Sequence, residues 1–430
     1  MTARLGSTDF PHRAYIEALA DTPEGSPAWH MIIAGYAALQ LFEGWADACA
    51  GALPPSALEL RRVRKYIEAT PESDAVRRCL SQLVDSIESA ASAVEPERAA
   101  RSLEVGRVLS AYAKLLQYDA QWGLAADVHT TIIGFAQYVE DGERLLDSML
   151  MRGFSLRMQG RLDEASKAYA ALRSAAVLAH NDRYRLESLL CEAKVAVDRG
   201  NFPVARELLD RTIADARRSD CSVIVSKGLT DRARVAAMQG DFELSLACSY
   251  EALERSEDQM DRERILGNIA VTFSQMGLRD AARDAGLLVA ATAQDRSARL
   301  AAILNLMELA YQDGRELVFE QYRREVARED LTPYLRVAYL ETCAEGFRTF
   351  GRHREEKVAR EQMLEVAETH GLYEFVIKAE EALRGGPPES AAADAAPRPT
   401  PAPRHAEPST RIATIVRAIA DMRIAAGLSA

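Results

Sequence analysis

The spacing of glycines along the chain is the feature that most constrains the fold. From position 160 onward one glycine recurs at intervals of 40, 40, 37, 37 and 37 residues. These glycines are Gly160, Gly200, Gly240, Gly277, Gly314 and Gly351. A fixed period of this size is typical of a stacked array of small units. Each glycine lies between two amphipathic stretches, where it can adopt the positive φ that ends a helix. The spacing therefore predicts repeated helical hairpins.

Small residues recur at fixed distances from these glycines. Five positions after the glycine stand Ala165, Ala205, Ser245 and Ala282. Seven positions before it stand Gly153, Ala193, Ala233 and Ala270. Two helices of a tight hairpin approach closely where they cross, and a small side chain permits that approach. We expect the two stretches of each unit to pack against one another as antiparallel helices.

The set Gly153, Gly160, Ala165 and Tyr169 resembles the signature of a tetratricopeptide repeat. The next three units match more loosely, and a degenerate unit is expected near 98–135. In the units of Gly314 and Gly351 the expected small residues are replaced, by Phe319 and Glu356. We expect those two units to pack differently or to shift register. The resemblance covers about 98–384 and implies an all-α, right-handed superhelix of stacked antiparallel hairpins, a TPR-like α-solenoid.

The two ends of the chain differ from the array. Residues 1–97 are expected to form an irregular helical region that caps it. Residues 385–408 are rich in Pro, Ala, Gly and Ser, which predicts a disordered linker. Residues 409–430 have the spacing of an amphipathic helix. Its apolar stripe consists of Ile412, Ile415, Val416, Ile419 and Met422.

Three roles are open for this last helix. It could dock on its own chain, bind another protein, or pair with a second copy and so form a homodimer. Arg411, Arg417 and Arg423 outnumber the single acid Asp421, which disfavours insertion into a basic groove. This balance favours a partner or a second copy.

Composition limits the function. The formal net charge of −11 disfavours a direct nucleic-acid binder. The best membrane candidate, Met31 to Phe42, is far shorter than the ~20 residues of a span. The N-terminal residues lack an export signal, so we expect a cytoplasmic protein. No phosphate loop, metal-ligand spacing or nucleophile motif is present in the sequence. We therefore expect no enzyme activity, no cofactor and no metal.

In tetratricopeptide arrays the first helix of each hairpin lines a groove that holds a peptide. The glycine register carries those positions to six candidates here, which are Phe154, Arg157, Lys194, Lys227, Arg234 and Arg264. Five are basic, whereas only Asp147 and Glu187 are acidic among the neighbouring groove positions. The resemblance thus predicts a mildly basic groove for an acidic or carboxylate-ended peptide. Alternatively, these bases pair with acids on neighbouring hairpins and bind nothing.

Two functions fit this pattern. The first is a scaffold or adaptor that binds a peptide or a segment of a partner protein. The alternative is a sensor, because repeats of 37–40 residues also resemble the ligand-sensing halves of some bacterial regulators. No effector module is visible in the sequence, so a sensor would act on a separate protein. A ligand-induced change of radius in small-angle scattering would favour the sensor.

Overall fold

A computed structural model describes residues 12–49, 53–70, 75–94, 97–384 and 409–428. The chain divides into two compact units, which we call unit 1 (Met1–Arg199) and unit 2 (Gly200–Ala430). All regular secondary structure in these described ranges is helical, so the all-α prediction is confirmed. The predicted linker 385–408 lies outside the described residues.

Unit 1 has nine helices among its described residues. They are α1 (Arg13–Asp21), α2 (Pro27–Cys49), α3 (Ala57–Glu68), α4 (Ala75–Ser92), α5 (Glu97–Tyr118), α6 (Trp122–Tyr138), α7 (Gly142–Met158), α8 (Leu162–Leu178) and α9 (Asp182–Asp198). From α3 onward each helix packs on the next in sequence. The helix α2 packs on α3, α4 and α6, so it connects the irregular first helices to the hairpins.

Unit 2 continues the hairpin pattern and adds one separate helix. Its described helices are α10 (Phe202–Arg218), α11 (Ser222–Met238), α12 (Phe242–Arg255), α13 (Gln259–Gln275), α14 (Arg279–Thr292), α15 (Arg296–Gln312), α16 (Glu316–Val326), α17 (Pro333–Thr349), α18 (His353–Thr369), α19 (Tyr373–Leu383) and α20 (Thr410–Ala425). Helix α20 is out of order, because it packs on α12 and α14.

The predicted glycine turns are confirmed. All six glycines of the register have a positive φ, between 69° and 79°. At the first of them, the Gly160 amide donates to the Arg157 carbonyl at 2.9 Å and the Arg161 amide donates to the Leu156 carbonyl at 3.0 Å. This pair of bonds is the Schellman motif, which satisfies carbonyls that the ending helix leaves free.

The turns between hairpins use the same geometry without glycine. Glu140, His180 and Asp220 have φ of 57°, 51° and 52°. Ala120, in the degenerate unit, has φ of 57°. At some of these turns the residue after the left-handed one caps the following helix. At one of them the Asn181 side chain accepts from the Tyr184 amide at 3.1 Å. One compact turn therefore ends one helix and starts the next, every 20 residues from position 120 to 240.

The predicted tight hairpin crossing is confirmed in the first well-formed unit. A Cβ added to Gly153 would lie 2.4 Å from Cε1 of Tyr169, so only hydrogen fits between the helix and the ring. Both Tyr169 and the small residue Ala165 are buried. The glycine and the aromatic ring of the tetratricopeptide signature thus form one contact.

The two departures from the signature pack differently, as expected. Phe319 is fully buried, and its ring lies where a Cβ on Gly346 of α17 would be, 2.2 Å from its Cε2. At this contact the large residue, Phe319, is on α16, and the small residue, Gly346, is on α17 of the next hairpin. Glu356 is not in the core: it pairs with Arg360 at 3.0 Å, and the buried small residue that follows it in α18 is Ala359.

Candidate functional surface and the docked C-terminal helix

The first helices of successive hairpins form a layer in unit 2. Helix α11 contacts α13, α13 contacts α15, and α15 contacts α17. Each of these four helices has 17 residues. Residues at the same distance before the turn glycine therefore form columns across the layer. One column, six positions before the glycine, consists of Arg234, Val271, Glu308 and Glu345.

The basic end of this layer lies on α11 and α13. Arg234 is exposed, and no hydrogen bond or ion pair to it is found among the described residues. Lys227 is half-buried on the same helix. Arg264 is exposed and pairs with Asp261 of its own helix at 2.7 Å. Arg234 is thus the predicted groove residue with the most accessible charge.

The acidic end lies on α15 and α17, beyond the groove candidates predicted from the sequence. Burial raises the pKa of Glu308, and the charges of Glu341 and Glu345 raise it further. Burial and the same three carboxylates raise the pKa of the Tyr311 hydroxyl. A carboxylate whose pKa is raised by neighbouring acids is stabilised by any cation that approaches it. Glu341 already pairs with Lys378 at 3.4 Å and Glu345 with Arg360 at 2.9 Å, so Glu308 is the carboxylate of this end that a positively charged ligand group would stabilise.

A small cavity of about 150 Å³ lies beside this acidic end, between α13 and α15. Polar side chains of Ser274, Gln275, Asn305 and Glu308 line it, together with apolar residues that include Val271. Val271, in the middle of α13, is 39% exposed. The centre of the layer thus offers an apolar contact flanked by hydrogen-bonding groups.

The predicted residues of unit 1 form a different surface. Phe154 of α7 makes an edge-to-face contact with Trp122 of α6, with ring centroids 5.6 Å apart. The Arg157 guanidinium lies 5.6 Å from the centroid of the Phe154 ring. It also pairs with Asp198 of α9 at 2.8 Å, where only 13% of the Arg157 side chain is exposed. Arg157 is therefore held within the hairpins, as the alternative prediction described.

Other polar groups of this unit are buried or half-buried. Lys194 is half-buried. Asp147 has a raised pKa, first because of burial and then because Glu187 is near; Lys114 opposes the shift. Glu187 itself is buried. Beneath them His129 is 2% exposed, and Gln117 donates to Ser155 Oγ at 3.0 Å beside its ring. The charges of unit 1 are mixed, without the two separated ends seen in unit 2.

The stripe of the C-terminal helix α20 is covered by its own chain. Ile412, Ile415 and Ile419 are at most 4% exposed, and Val416 and Met422 are half-buried. The helix packs on α14 and α12. Burial of an isoleucine side chain contributes about 1.5–3 kcal/mol relative to full exposure. Three buried isoleucines hold this helix in place.

Polar contacts at both ends fix the direction of α20. Ser409 caps its N-terminus by accepting from the Ile412 amide and also donates to Glu243 of α12 at 2.7 Å. Near the other end Arg423 pairs with Asp284 of α14, with Nε 3.4 Å from the carboxylate. The side chain of Arg423 is 11% exposed, and its Nε has no hydrogen bond of good geometry within the described residues.

The structure therefore has the first of the three arrangements considered for this helix. The charge balance favoured a partner or a second copy, but the stripe is docked in cis. The physical reason is that α20 does not enter the layer of first helices, so its positive charge is not opposed there. It lies on the second helices α12 and α14, where Asp284 and Glu243 complement Arg423 and Ser409.

Metal and membrane sites were sought as well. In the part of the chain that the structure describes, no group of three His, Cys, Asp or Glu side chains is placed to hold a metal ion. None of the described helices is both long and apolar enough to cross a bilayer.

Comparisons with known proteins give structural similarity only. No family model matches the sequence, and no curated protein matches it. Solved structures that are similar include NprR in complex with its cognate peptide NprX, with 11% identity, a TM-score of 0.47, and coverage of 77% of this chain and 98% of that one. A Rap protein complexed with competence and sporulation factor has 11% identity, a TM-score of 0.45, and coverage of 79% and 98%. The P58(IPK) TPR domain has 16% identity, a TM-score of 0.22, and coverage of 81% and 98%.

The architecture of this chain is tetratricopeptide-like. Repeats of this kind serve many unrelated functions, so the function has to be argued from the surface residues of the chain itself.

Proposed function

We propose that the protein is an interaction module that binds an extended segment of a partner protein along the first helices of unit 2. The observation that supports this is the change of sign within the layer. Lys227, Arg234 and Arg264 lie on α11 and α13, whereas Glu308 and Glu345 lie on α15 and α17. A surface that only needed solubility would gain nothing from separating its charges in this way.

The arrangement specifies the ligand more closely than the sequence prediction of an acidic peptide. An acidic residue or a carboxylate end would bind Arg234, whose guanidinium can make charge-assisted hydrogen bonds. A Lys or Arg side chain would bind beside Glu308, where it would offset the repulsion from Glu341 and Glu345. Between them an apolar side chain would contact Val271. We infer a segment with opposite charges at its two ends.

A peptide-display selection against the full chain tests the proposal. We expect enriched peptides to carry Asp or Glu at one end and Lys or Arg at the other. Their affinity should fall at least tenfold for Arg234→Glu, because an attraction becomes a repulsion at an accessible site. Fluorescence anisotropy with labelled peptides measures the change.

The matched control is Arg206→Glu. Arg206 is an exposed arginine of the second helix α10, outside the layer of first helices. The same change of charge there should leave the affinity within about twofold, since exposed charges at a distance are screened. Equal affinity of Arg234→Glu and Arg206→Glu for the selected peptides would rule out the proposed surface.

A further inference from the structure

The second helices α12 and α14 carry a different interaction surface, which α20 covers. Most helices of the hairpin array pack on their neighbours in sequence, but α20 packs on helices that precede it by more than 100 residues. Residues 385–408, which connect α19 to α20 in the sequence, lie outside the described residues. The docked helix is thus a short element with a contact stripe of its own.

The fit of α20 is that of a reversible ligand. Its hydrophobic contact consists of three buried side chains, Ile412, Ile415 and Ile419, and two half-buried ones, Val416 and Met422. The ion pair of Arg423 with Asp284 is long at 3.4 Å, and within the described part of the chain the Nε of this buried guanidinium has no good hydrogen bond. An imperfectly satisfied buried charge weakens docking. A helix of 16 residues is also marginal in water once it is released.

We propose that the α12–α14 surface is a second binding site, specific for an amphipathic helix, and that α20 is its tethered competitor. The pattern of α20 defines the partner: apolar residues at i, i+3 and i+7, as in Ile412, Ile415 and Ile419, with an arginine at i+11, as in Arg423. The arginine pairs with Asp284. A helix of this pattern on another protein displaces α20 and frees its stripe. This site is independent of the peptide surface proposed above, because that surface lies on first helices.

The tether determines how strong the competition is. Because α20 belongs to the same chain as its docking surface, it competes intramolecularly, and linked binding elements reach effective concentrations on the order of 1 mM. A free helix with a micromolar dissociation constant therefore binds the intact chain much more weakly than a chain whose α20 has been disabled.

The probe is a fluorescently labelled synthetic peptide of residues 409–428, and the receptor is the full chain. Ile415→Asp with Ile419→Asp disables the stripe of α20. We expect this double variant to bind the peptide at least tenfold more tightly than the unaltered chain, measured by anisotropy. The matched control is Ala413→Asp with Arg417→Asp, which places two aspartates at the same spacing on the exposed face. It should bind the peptide as weakly as the unaltered chain.

Charge reversal tests the specificity. In the double variant, Asp284→Arg should weaken peptide binding at least fivefold, and a peptide with Arg423→Glu should restore most of the loss. Equal binding of the peptide to the double variant and the unaltered chain would overturn the proposal, as would no binding to either. A concentration-dependent dimer of the unaltered chain that the double variant abolishes would instead make a second copy the occupant.

A measurement on the unaltered chain keeps the proposal testable if the double variant does not fold. Hydrogen exchange should be at least tenfold faster in the amides of α20 than in those of α14, because α20 opens locally. Equal protection of the two helices would show that α20 is a permanent part of unit 2.

Discussion

The hairpins before and after Gly240 differ in one respect. From position 120 to 240 every helix advances the chain by 20 residues, and the first and second helices are equally long. After Gly240 the period falls to 37 residues. The first helices α13, α15 and α17 still have 17 residues, whereas the second helices α12 and α14 have 14 and α16 has 11.

This difference shows which layer of the array tolerates change. Between Gly240 and Gly351 the second helices α12, α14 and α16 are shorter, while the first helices α13, α15 and α17 keep 17 residues. The next second helix, α18, has 17 residues again. The candidate peptide surface lies on the constant layer, since aligned columns need helices of equal length and register. The helix α20 docks on two of the shortened second helices. The constant layer and the variable layer thus carry separate candidate sites.

The largest expected effect is at the contact between Phe319 and Gly346. This contact lies in the region after Gly240, which we call the contracted region, and it departs from the tetratricopeptide signature. Phe319→Ala should lower the free energy of unfolding by about 3–5 kcal/mol, because it removes a fully buried ring and leaves a cavity. Gly346→Ala should cost about 1–3 kcal/mol through overpacking, although alanine is the better helix former. Urea unfolding followed by circular dichroism measures both.

The double variant is the sharper test of this contact. With the ring removed, the added methyl group at 346 has space, so Gly346→Ala should become neutral or stabilising in the Phe319→Ala background. If the two losses simply add, the ring and the glycine do not depend on one another, and the contracted region packs like the regular one.

The second expected effect is a pH dependence of stability in the region before Gly240, which we call the regular region. Burial lowers the pKa of His129 to about 4, from its ordinary value of 6.5, and the charge of Lys114 adds to the shift. The unfolded state therefore takes up a proton first. Stability is fully present above pH 6.5 and is lost as the pH falls from 6.5 towards 4, by roughly 2–3 kcal/mol for this group.

His129→Gln removes this titration and keeps a hydrogen-bonding group beside Gln117. Urea unfolding at pH 7 and pH 4.5 should therefore show a smaller loss for the variant than for the unaltered chain. Equal losses would mean that His129 is not buried in its neutral form.

The smallest expected effects compare two helix glycines, one from each region. Gly153→Ala should destabilise by about 1–3 kcal/mol, because the new methyl group would lie 2.4 Å from the Tyr169 ring. Gly267→Ala, in α13, should stabilise by about 0.5–1 kcal/mol, since no neighbouring atom lies within 4 Å of its Cβ position. Thermal unfolding reports both. A gain at Gly153 would contradict the tight crossing inferred from the signature.

Much of the fold could be predicted from the sequence, because glycine marks a left-handed turn wherever it recurs. The intervening turns were missed. Glu140, His180 and Asp220 also have a positive φ, as the turn glycines do. These residue types occur throughout helices and loops, so their spacing alone does not predict a turn. Taken together with the glycines, these residues show that one helix and its turn occupy 20 residues between positions 120 and 240.

The candidate sites were less predictable. The glycine register predicts the basic groove candidates only as far as the Gly277 unit, so it did not extend to Glu308 and Glu345, which remain proposed ligand-binding residues. That Arg157 pairs with Asp198 depends on how two hairpins stack, and a periodic pattern does not contain this information. The stripe of α20 was predicted residue by residue, whereas its position was not, since many apolar surfaces can cover such a stripe.

The order of helices along the chain has a consequence for synthesis. The docking surface on α12 and α14 leaves the ribosome well before α20 does, and hairpins with local contacts form early. During that interval the surface has no tethered competitor. A helical partner that is present during synthesis would therefore bind the α12–α14 surface without competition. The helix α20, which is synthesised later, would then have to displace that partner in order to dock.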